Sequence, residues 1–524
     1  MRSYIRRIRS FNRDIRLFFL FSLLVTTGFG VFGLVMNLYL VQLGLREDFI
    51  GIFSAVNTIA IAAGAISIGF ALRRITTWQA LLFGGAGVLV LQVALALAEQ
   101  EILLLVLAAL YGLALAYLTT VTMPFIIEWS RPGARAQTAS IAFALNAVAA
   151  TVGSLLGGYV PELTAAVTGG ESASVTGYRV ALLTGSVVGV FALIPLLRMR
   201  EARQGRGQGK NRAAAPDVPV AERRQTRKDV SVYVVLGGVL ALGLGTVIPF
   251  YPVFLTLNGV SPGSVGIIYA MGNLLGAGFS LLGPVLVQRY GNLRVNFSIR
   301  FMLAPVYLLL LLFPTTGVVI FAHFARAVSL NMGGPLDSTF VADILPQRLQ
   351  ASAIGFRTAS WNLCWAGSSI VGGWVIVQFG YDWTFAALII SAVAASVGFY
   401  LYWSRHPRVR SGQILNALTQ KQRNAVVARM AGEAEQDASE RTDEIAREEA
   451  RQLIGDPGNV DHKRTTSTTV DLDGHLADEL GVDLAGLTTE PEDGTPATAS
   501  HSGGTASADS DSHGDQPSSG RSPS

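Results

Sequence analysis

Cysteine occurs once in the 524 residues, at Cys364, so no disulfide within the chain can hold a fold together. Histidine is as scarce where a metal would sit. His323 is the only one before residue 406, which argues against a histidine-based metal centre, and no cofactor is expected. Lysine is confined to Lys210 and Lys228 in the first 404 residues, so arginine supplies nearly all the positive charge there. Charged residues make up only 15% of the chain, whereas a soluble protein carries about 25%. No phosphate-cradling glycine loop, nucleophile, metal cluster or carboxylate pair stands out, which excludes ATP as the expected energy source and an enzyme as the expected class. The basic start (Arg2, Arg6, Arg7, Arg9, Arg13, Arg16) runs into an apolar stretch too long for a cleavable signal peptide.

Apolar residues are what the chain has, 50% of it, with a mean hydropathy of +0.43. Its charge is unevenly placed. Residues 1–404 hold 28 Lys+Arg and 15 Asp+Glu, a balance of +13; residues 405–524 hold 12 and 21, a balance of −9. The overall +4 therefore averages two unlike regions and does not point to nucleic acid.

A spanning helix needs roughly 20 mostly apolar residues. Twelve stretches meet that length: 17–43, 49–72, 78–98, 102–127, 136–160, 179–197, 231–257, 263–287, 295–314, 317–342, 352–379 and 383–403. The bilayer forces them to be helical, because every backbone polar group must be satisfied internally. The basic residues of the short connections fall on one side: Arg73, Arg74, Arg131, Arg135, Arg289, Arg294 and Arg348, with the basic N-terminus and the Arg-rich segment 198–228. By the positive-inside rule that side is cytoplasmic, both termini included, in a multi-pass protein of the cell membrane.

The chain partly matches itself at one fixed offset, the shift that carries Gly28 onto Gly243. The same shift carries Gly30 onto Gly245, Gly44 onto Gly259, Gly51 onto Gly266, and Arg74 onto Arg289. Ser154, Gly157 and Gly158 fall on Ser369, Gly372 and Gly373, and Glu128 falls on Asp343. An even number of spans per half gives parallel repeats about an axis along the membrane normal. The expected architecture is all-α and integral to the membrane, twelve transmembrane helices in two six-helix pseudo-repeats. Its divisions are a basic N-terminus 1–16, a bundle 17–197, a linker 198–230, a second bundle 231–403, and an acidic, largely disordered cytoplasmic tail 404–524.

At this point the sequence resembles the major facilitator superfamily over roughly residues 15–404. The signature after the second span is degenerate, Gly69-Phe-Ala-Leu-Arg73-Arg74 in the first half and Pro284-Val-Leu-Val-Gln288-Arg289-Tyr-Gly291 in the second. Glu128 with Arg135 and Asp343 with Arg348 match the family pattern at the span 4–5 and 10–11 junctions. Gly153-Ser-Leu-Leu-Gly157-Gly158 is similar to the antiporter motif of drug exporters, with Ser154 where that motif has Pro. The exporters' span 4 arginine would stand at Tyr111, and Arg326 occupies the repeat-equivalent position in the second half. The resemblance implies a secondary transporter working by alternating access between the two halves.

Span 10 is the most informative. Arg326 lies near mid-depth, where an ionised arginine costs about 2.5–3.5 kcal/mol, so it needs a cavity or a partner. Eleven positions on, Asp337 returns to within about 20° of the same face and about 16 Å along the axis. These spacings predict a central cavity that Arg326 and His323 face, with Asp337 as the proton-coupling acid. The alternative is a structural Arg326 and an Asp337 paired with Arg357. Trp361, Asn362 and Trp365 in span 11 suit an amphipathic or aromatic ligand. Asn37, Asn57, Tyr111, Asn146, Tyr251 and Asn273 are the remaining cavity candidates, each with an interhelical hydrogen bond as the plainer alternative. Arg74, Glu128 and Arg135, with Arg289, Asp343 and Arg348, form the expected cytoplasmic gate.

The function expected from this pattern is proton-coupled export of an amphipathic compound by a monomer. Uptake of a polar or anionic nutrient stands second, and a non-transporting membrane sensor is the alternative from another class. The expected partners are a small-molecule substrate, lipid and protons, with no nucleic acid.

Overall fold

The computed structural model describes residues 13–72, 74–129, 135–199, 220–345 and 347–406. The chain divides into two units, 1–428 and 429–524, and the described residues all belong to the first. The expected tail from 407, the first twelve residues and most of the linker therefore lie outside them.

The first half consists of α1 (Arg13–Gln42), α2 (Glu47–Ala71), α3 (Thr77–Leu97), α4 (Glu101–Trp129), α5 (Arg135–Thr168) and α6 (Val175–Arg198). The second half consists of α7 (Val220–Val247), α8 (Tyr251–Leu257), α9 (Pro262–Tyr290), α10 (Asn292–Phe301), α11 (Leu303–Leu312), α12 (Thr316–Ile344), α13 (Gln347–Phe379) and α14 (Tyr381–Ser404). A 3-10 turn at Ile248–Phe250 joins α7 to α8, and a break at Met302 separates α10 from α11, so each pair forms one rod. Pro249 and Pro252 account for the first break, since neither can donate a backbone bond to the preceding turn.

Ten of these rods are long and apolar enough to cross a membrane. The other two, α12 and α13, are 29 and 33 residues long and carry Arg326, Asp337 and Arg357. Ile66, Val90, Ile102, Leu281 and Ile390 are among many apolar side chains left exposed, as expected where lipid is the solvent. Two boundaries differ from the sequence reading. Helix α5 runs on past Pro161 to Thr168, with the Thr164 and Thr168 hydroxyls bonded back to the Val160 and Thr164 carbonyls. Helix α7 begins at Val220, so 220–230 is its opening stretch rather than linker; the run Glu-Arg-Arg-Gln is rich in helix formers.

Both halves pack alike. α1 lies against α5 and α6 as α7 lies against α13 and α14, and α2 meets α4 as α9 meets α12. The sequence offset holds at single contacts. Gly30 rests on Ala150 and Gly153, and Gly245 rests on their counterparts Trp365 and Ser368. Gly44 and Gly259, equivalent by the same offset, both close their helix in the left-handed region at φ +86° and +77°, which favours glycine.

Two seams join the halves, α2 to α13 and α5 to α9, and they too are equivalent. A Cβ on Gly51 would collide with the Ser369 carbonyl oxygen, and one on Gly266 would stand 2.7 Å from that of Ser154. Gly158 sits against Pro262 and Gly373 against Glu47 in the same paired way. Small residues are what allow helix backbones to approach this closely.

The start of α1 and the end of α14 lie at one end of the bundle, the proximal end. A set of hydrogen bonds joins the halves in the opposite, distal half of the helices. Asn37 Nδ2 donates to the Pro249 carbonyl (2.6 Å), Asn273 Nδ2 to Ser154 Oγ (3.2 Å), and Tyr381 Oη to Glu47 (3.1 Å). Ser54 reaches Ser369, and Glu162 Oε1 accepts from the Gly263 N–H (2.9 Å) and the Ser261 hydroxyl (3.0 Å) at the start of α9. The molecule is therefore fastened at its distal end.

Candidate functional site

Charge in the middle of the helices belongs to the second half. Arg300 on α10, Arg326 and Asp337 on α12, and Arg357 on α13 are all buried or nearly so, and they form two groups.

The first group surrounds Arg326, which is 3% exposed. Its guanidinium lies over the Tyr251 ring of α8 at 4.1 Å, and its Nη2 is 2.8 Å from His323 Nδ1 one turn away. Tyr269 of α9 and Tyr307 of α11 complete the cage. His323 packs on Tyr269 at 4.2 Å, and Gly272 leaves room for its ring. Tyr251 turns its hydroxyl to the Val319 carbonyl (2.6 Å), away from any cavity. No carboxylate pairs with Arg326 among the described residues. The Tyr269 and Tyr307 hydroxyls face the guanidinium, while its Nη1 is buried without a well-aligned acceptor among the described residues. A cation over a ring in a dry site is worth about 2 kcal/mol, which offsets much of the insertion cost but satisfies no N–H.

By the repeat offset Tyr111 is the counterpart of Arg326, and Gln92 is the counterpart of Tyr307. In the first half this socket is sealed: Gln92 Nε2 meets the Tyr111 hydroxyl at 3.3 Å, and Tyr111 packs on Phe32 at 4.7 Å. The expectation that Tyr111 presents a hydroxyl to a cavity does not hold, because it is 2% exposed. One socket thus has two forms, a neutral, satisfied one and a cationic, unsatisfied one.

The second group lies nearer the proximal end. The Asp337 carboxylate is ion-paired on one oxygen to Arg300 and on the other to Arg357. Arg300 lies over Phe399 (4.7 Å), and Arg357 lies over Tyr233 (5.0 Å) and Trp361 (5.6 Å). The Arg357 side chain is 15% exposed against 4% for Arg300, and its Nε carries an unpartnered N–H. Trp361 and Trp365 are half-buried and stacked at 6.3 Å. Asn362 is half-buried, with no side-chain hydrogen bond among the described residues. Sequence reasoning did not single out Arg300, although an arginine inside an apolar span was signal enough; Arg357 was weighed only as a partner for Asp337. Periodicity set Arg326 and Asp337 on one face of α12, but the structure gives them separate surroundings, and Arg326 is enclosed in the second half rather than open to a crevice.

The amide candidates are engaged in packing. Asn37 and Asn273 tie the two halves together as described above. Asn57 donates to the Ala108 carbonyl (3.1 Å), and Asn146 accepts from Ser22 (2.7 Å) and Thr26 (3.2 Å). At the proximal end Arg74, Glu128, Arg289 and Asp343 are exposed, and neither Arg74–Glu128 nor Arg289–Asp343 forms an ion pair. Glu128 instead accepts from Thr77 (2.6 Å) and Asp343 from Asn292 (3.2 Å), while Arg289 lies over Tyr290. The Arg135 and Arg348 side chains are outside the described residues.

The sequence profile of the Major Facilitator Superfamily matches residues 18–367. No curated protein matches the chain. Among solved structures, the nucleoside transporter NupG superposes with a TM-score of 0.59 at 14% identity, covering 75% of this chain and 98% of that one. A bacterial homologue of the human lysosomal transporter Spinster, inward-facing and unoccupied, gives 0.57 at 16%, covering 74% and 96%. A D-xylose-proton symporter gives 0.55 at 14%, covering 74% and 97%.

Proposed function

The chain belongs to the Major Facilitator Superfamily and is a multi-pass secondary transporter of a small molecule rather than an enzyme, and from that premise we propose that its substrate is a small organic anion. The observation that carries this reading is the charge at mid-helix in the second half: among the described residues, Arg300, Arg326 and Arg357 stand there against one carboxylate, Asp337, while the other buried carboxylate, Asp229, sits near the start of α7 with His406 and Tyr402. An uncompensated buried cation is expensive in a membrane and is retained where it meets a charge of the opposite sign during function. Arg326 has the cage, the free N–H and no acid, so it is assigned to the anionic group of the substrate. His323, Tyr251, Tyr269 and Tyr307 hold its orientation.

The proximal end is read as cytoplasmic, from the basic connections around Arg74, Arg289 and Arg294, and the membrane as the cell membrane. On that orientation the distal seams close the outside, and this is an inward-open state. Arg74 and Glu128 of the first half, with Arg289 and Asp343 of the second, are assigned to the closed inner gate of the opposite state, where they would meet across the two halves rather than within one. Alternating access then exchanges the two seams for that gate, in a monomer whose two halves complete the path.

Asp337 is assigned to proton coupling. A proton taken up there releases Arg357 for the substrate, so proton and anion occupy the cluster together rather than in turn. That favours symport, and hence uptake, over export by antiport. Export rests on the degenerate motif at Ser154, a residue that sits in the α5–α9 seam, and on the aromatic stripe of Trp361 and Trp365, which suits uptake equally. Thermal stabilisation of the purified protein by small molecules sorted by charge tests the reading. Monoanions should stabilise it and matched cations should not; stabilisation by cations alone overturns it.

A further inference from the structure

Arg357 is built differently from the other deep arginines. It lies against α7, where Gly237 leaves it space: a Cβ there would meet Arg357 Nε at 2.8 Å. It is held between two aromatic rings, Tyr233 and Trp361, and shares Asp337 with Arg300. The three charges sum to +1, two guanidiniums and one carboxylate, and a bound monoanion brings the cluster to zero. Because Asp337 has a second partner, Arg357 can turn one face to a ligand without leaving a buried carboxylate unpaired, the outcome that makes breaking most buried ion pairs costly. Arg357 is also the more exposed of the two, toward the proximal end of the molecule.

Beside this cation stand two half-buried indoles. Trp361 is one turn above Arg357 on α13 and Trp365 one turn further, stacked on it. A guanidinium and a π-face one turn apart on a helix read two features of one molecule, an anionic head and a flat apolar body. We propose that Arg357, Trp361 and Trp365 form the recognition site for planar aromatic carboxylates, with Arg357 taking the carboxylate and the indole pair the ring. The site rests on the anion reading above and narrows it. It is separate from the Arg326 cage, being on a different helix with different partners, and is the station met first from the proximal side.

Calorimetric titration of the full-length protein in lipid nanodiscs tests this with four probes: benzoate, hexanoate, benzyl alcohol and benzylamine. Benzoate should bind about tenfold more tightly than hexanoate, the alcohol and the amine should not bind, and Trp361→Leu should bring the benzoate-to-hexanoate affinity ratio to about one. Arg357→Gln should abolish binding of both carboxylates, and Arg357→Lys should retain part of it. Equal binding of benzoate and hexanoate by the native protein, an aromatic preference that survives Trp361→Leu, or no binding of any probe overturns this inference while leaving anion transport to be judged at Arg326. Binding of benzylamine in preference to both carboxylates overturns the anion reading with it. Should the Arg357 variants not fold, the benzoate-to-hexanoate ratio of the native protein and of Trp361→Leu decides.

Discussion

Gly51 and the Ser369 carbonyl are in such close contact that a methyl group on Gly51 would collide with the oxygen, and at the equivalent place in the repeat Gly266 has the same relationship with Ser154. These paired contacts lie at the core of the two distal seams. Gly51→Leu or Gly266→Leu should therefore wedge the distal end apart. Spin labels at the exposed Leu163 and Leu257, with Cys364 replaced by Ser, should report a distance distribution several ångströms wider in either variant. An unchanged distribution in well-folded protein would show that the seams do not hold that end.

Glu162 crosses the α5–α9 seam to accept bonds at the first turn of α9. A carboxylate at a helix N-terminus contributes about 0.3–1 kcal/mol, which is roughly a two- to fivefold shift between two states. Glu162→Ala should raise the distal-open population by that factor, and Glu162→Gln, which keeps an acceptor, by less. The same pair of labels reads it.

Arg326 has no acid partner among the described residues, so removing its charge leaves no carboxylate stranded. Arg326→Met should abolish transport of an organic anion while leaving the melting temperature equal or a few degrees higher, the trade expected of a functional charge kept at a cost to stability. Loss of stability alongside loss of transport would make the residue structural.

Asp337 behaves in the opposite way. Asp337→Asn leaves Arg300 and Arg357 facing each other and should cost about 3–5 kcal/mol. Adding Arg300→Gln should recover part of that loss, giving a clear coupling term in a double-mutant cycle. In protein that still inserts, Asp337→Asn should lose flux driven by a pH gradient yet retain exchange of substrate at equal pH.

The rods and the repeat were legible because they depend on local quantities, the length of apolar runs and the spacing of glycines. Gly44 and Gly259, or Gly30 and Gly245, could be matched before any contact was known. The face of α12 was legible too, but not what lies opposite it. Periodicity places Arg326 and Asp337 on one stripe; only the packing of α8, α9 and α11 surrounds the first with tyrosines, and only α10 and α13 bring arginines to the second. Tyr111 shows the same limit, since its hydroxyl was free to face a cavity until Gln92 of α3 was seen beside it. The role of Arg300 was not legible because it shares no helix with Asp337; only the packing of α10 against α12 brings the two together.

The most direct test of anion transport is uptake of radiolabelled benzoate into proteoliposomes under an imposed inward proton gradient. Over the passive entry of benzoic acid seen in protein-free liposomes, the native protein should speed uptake severalfold, a protonophore should collapse the accumulated pool, and Arg326→Met should show only the protein-free rate. Accumulation of a matched organic cation in place of the anion, or undiminished benzoate uptake by Arg326→Met, would contradict the assignment of the buried arginines to the substrate.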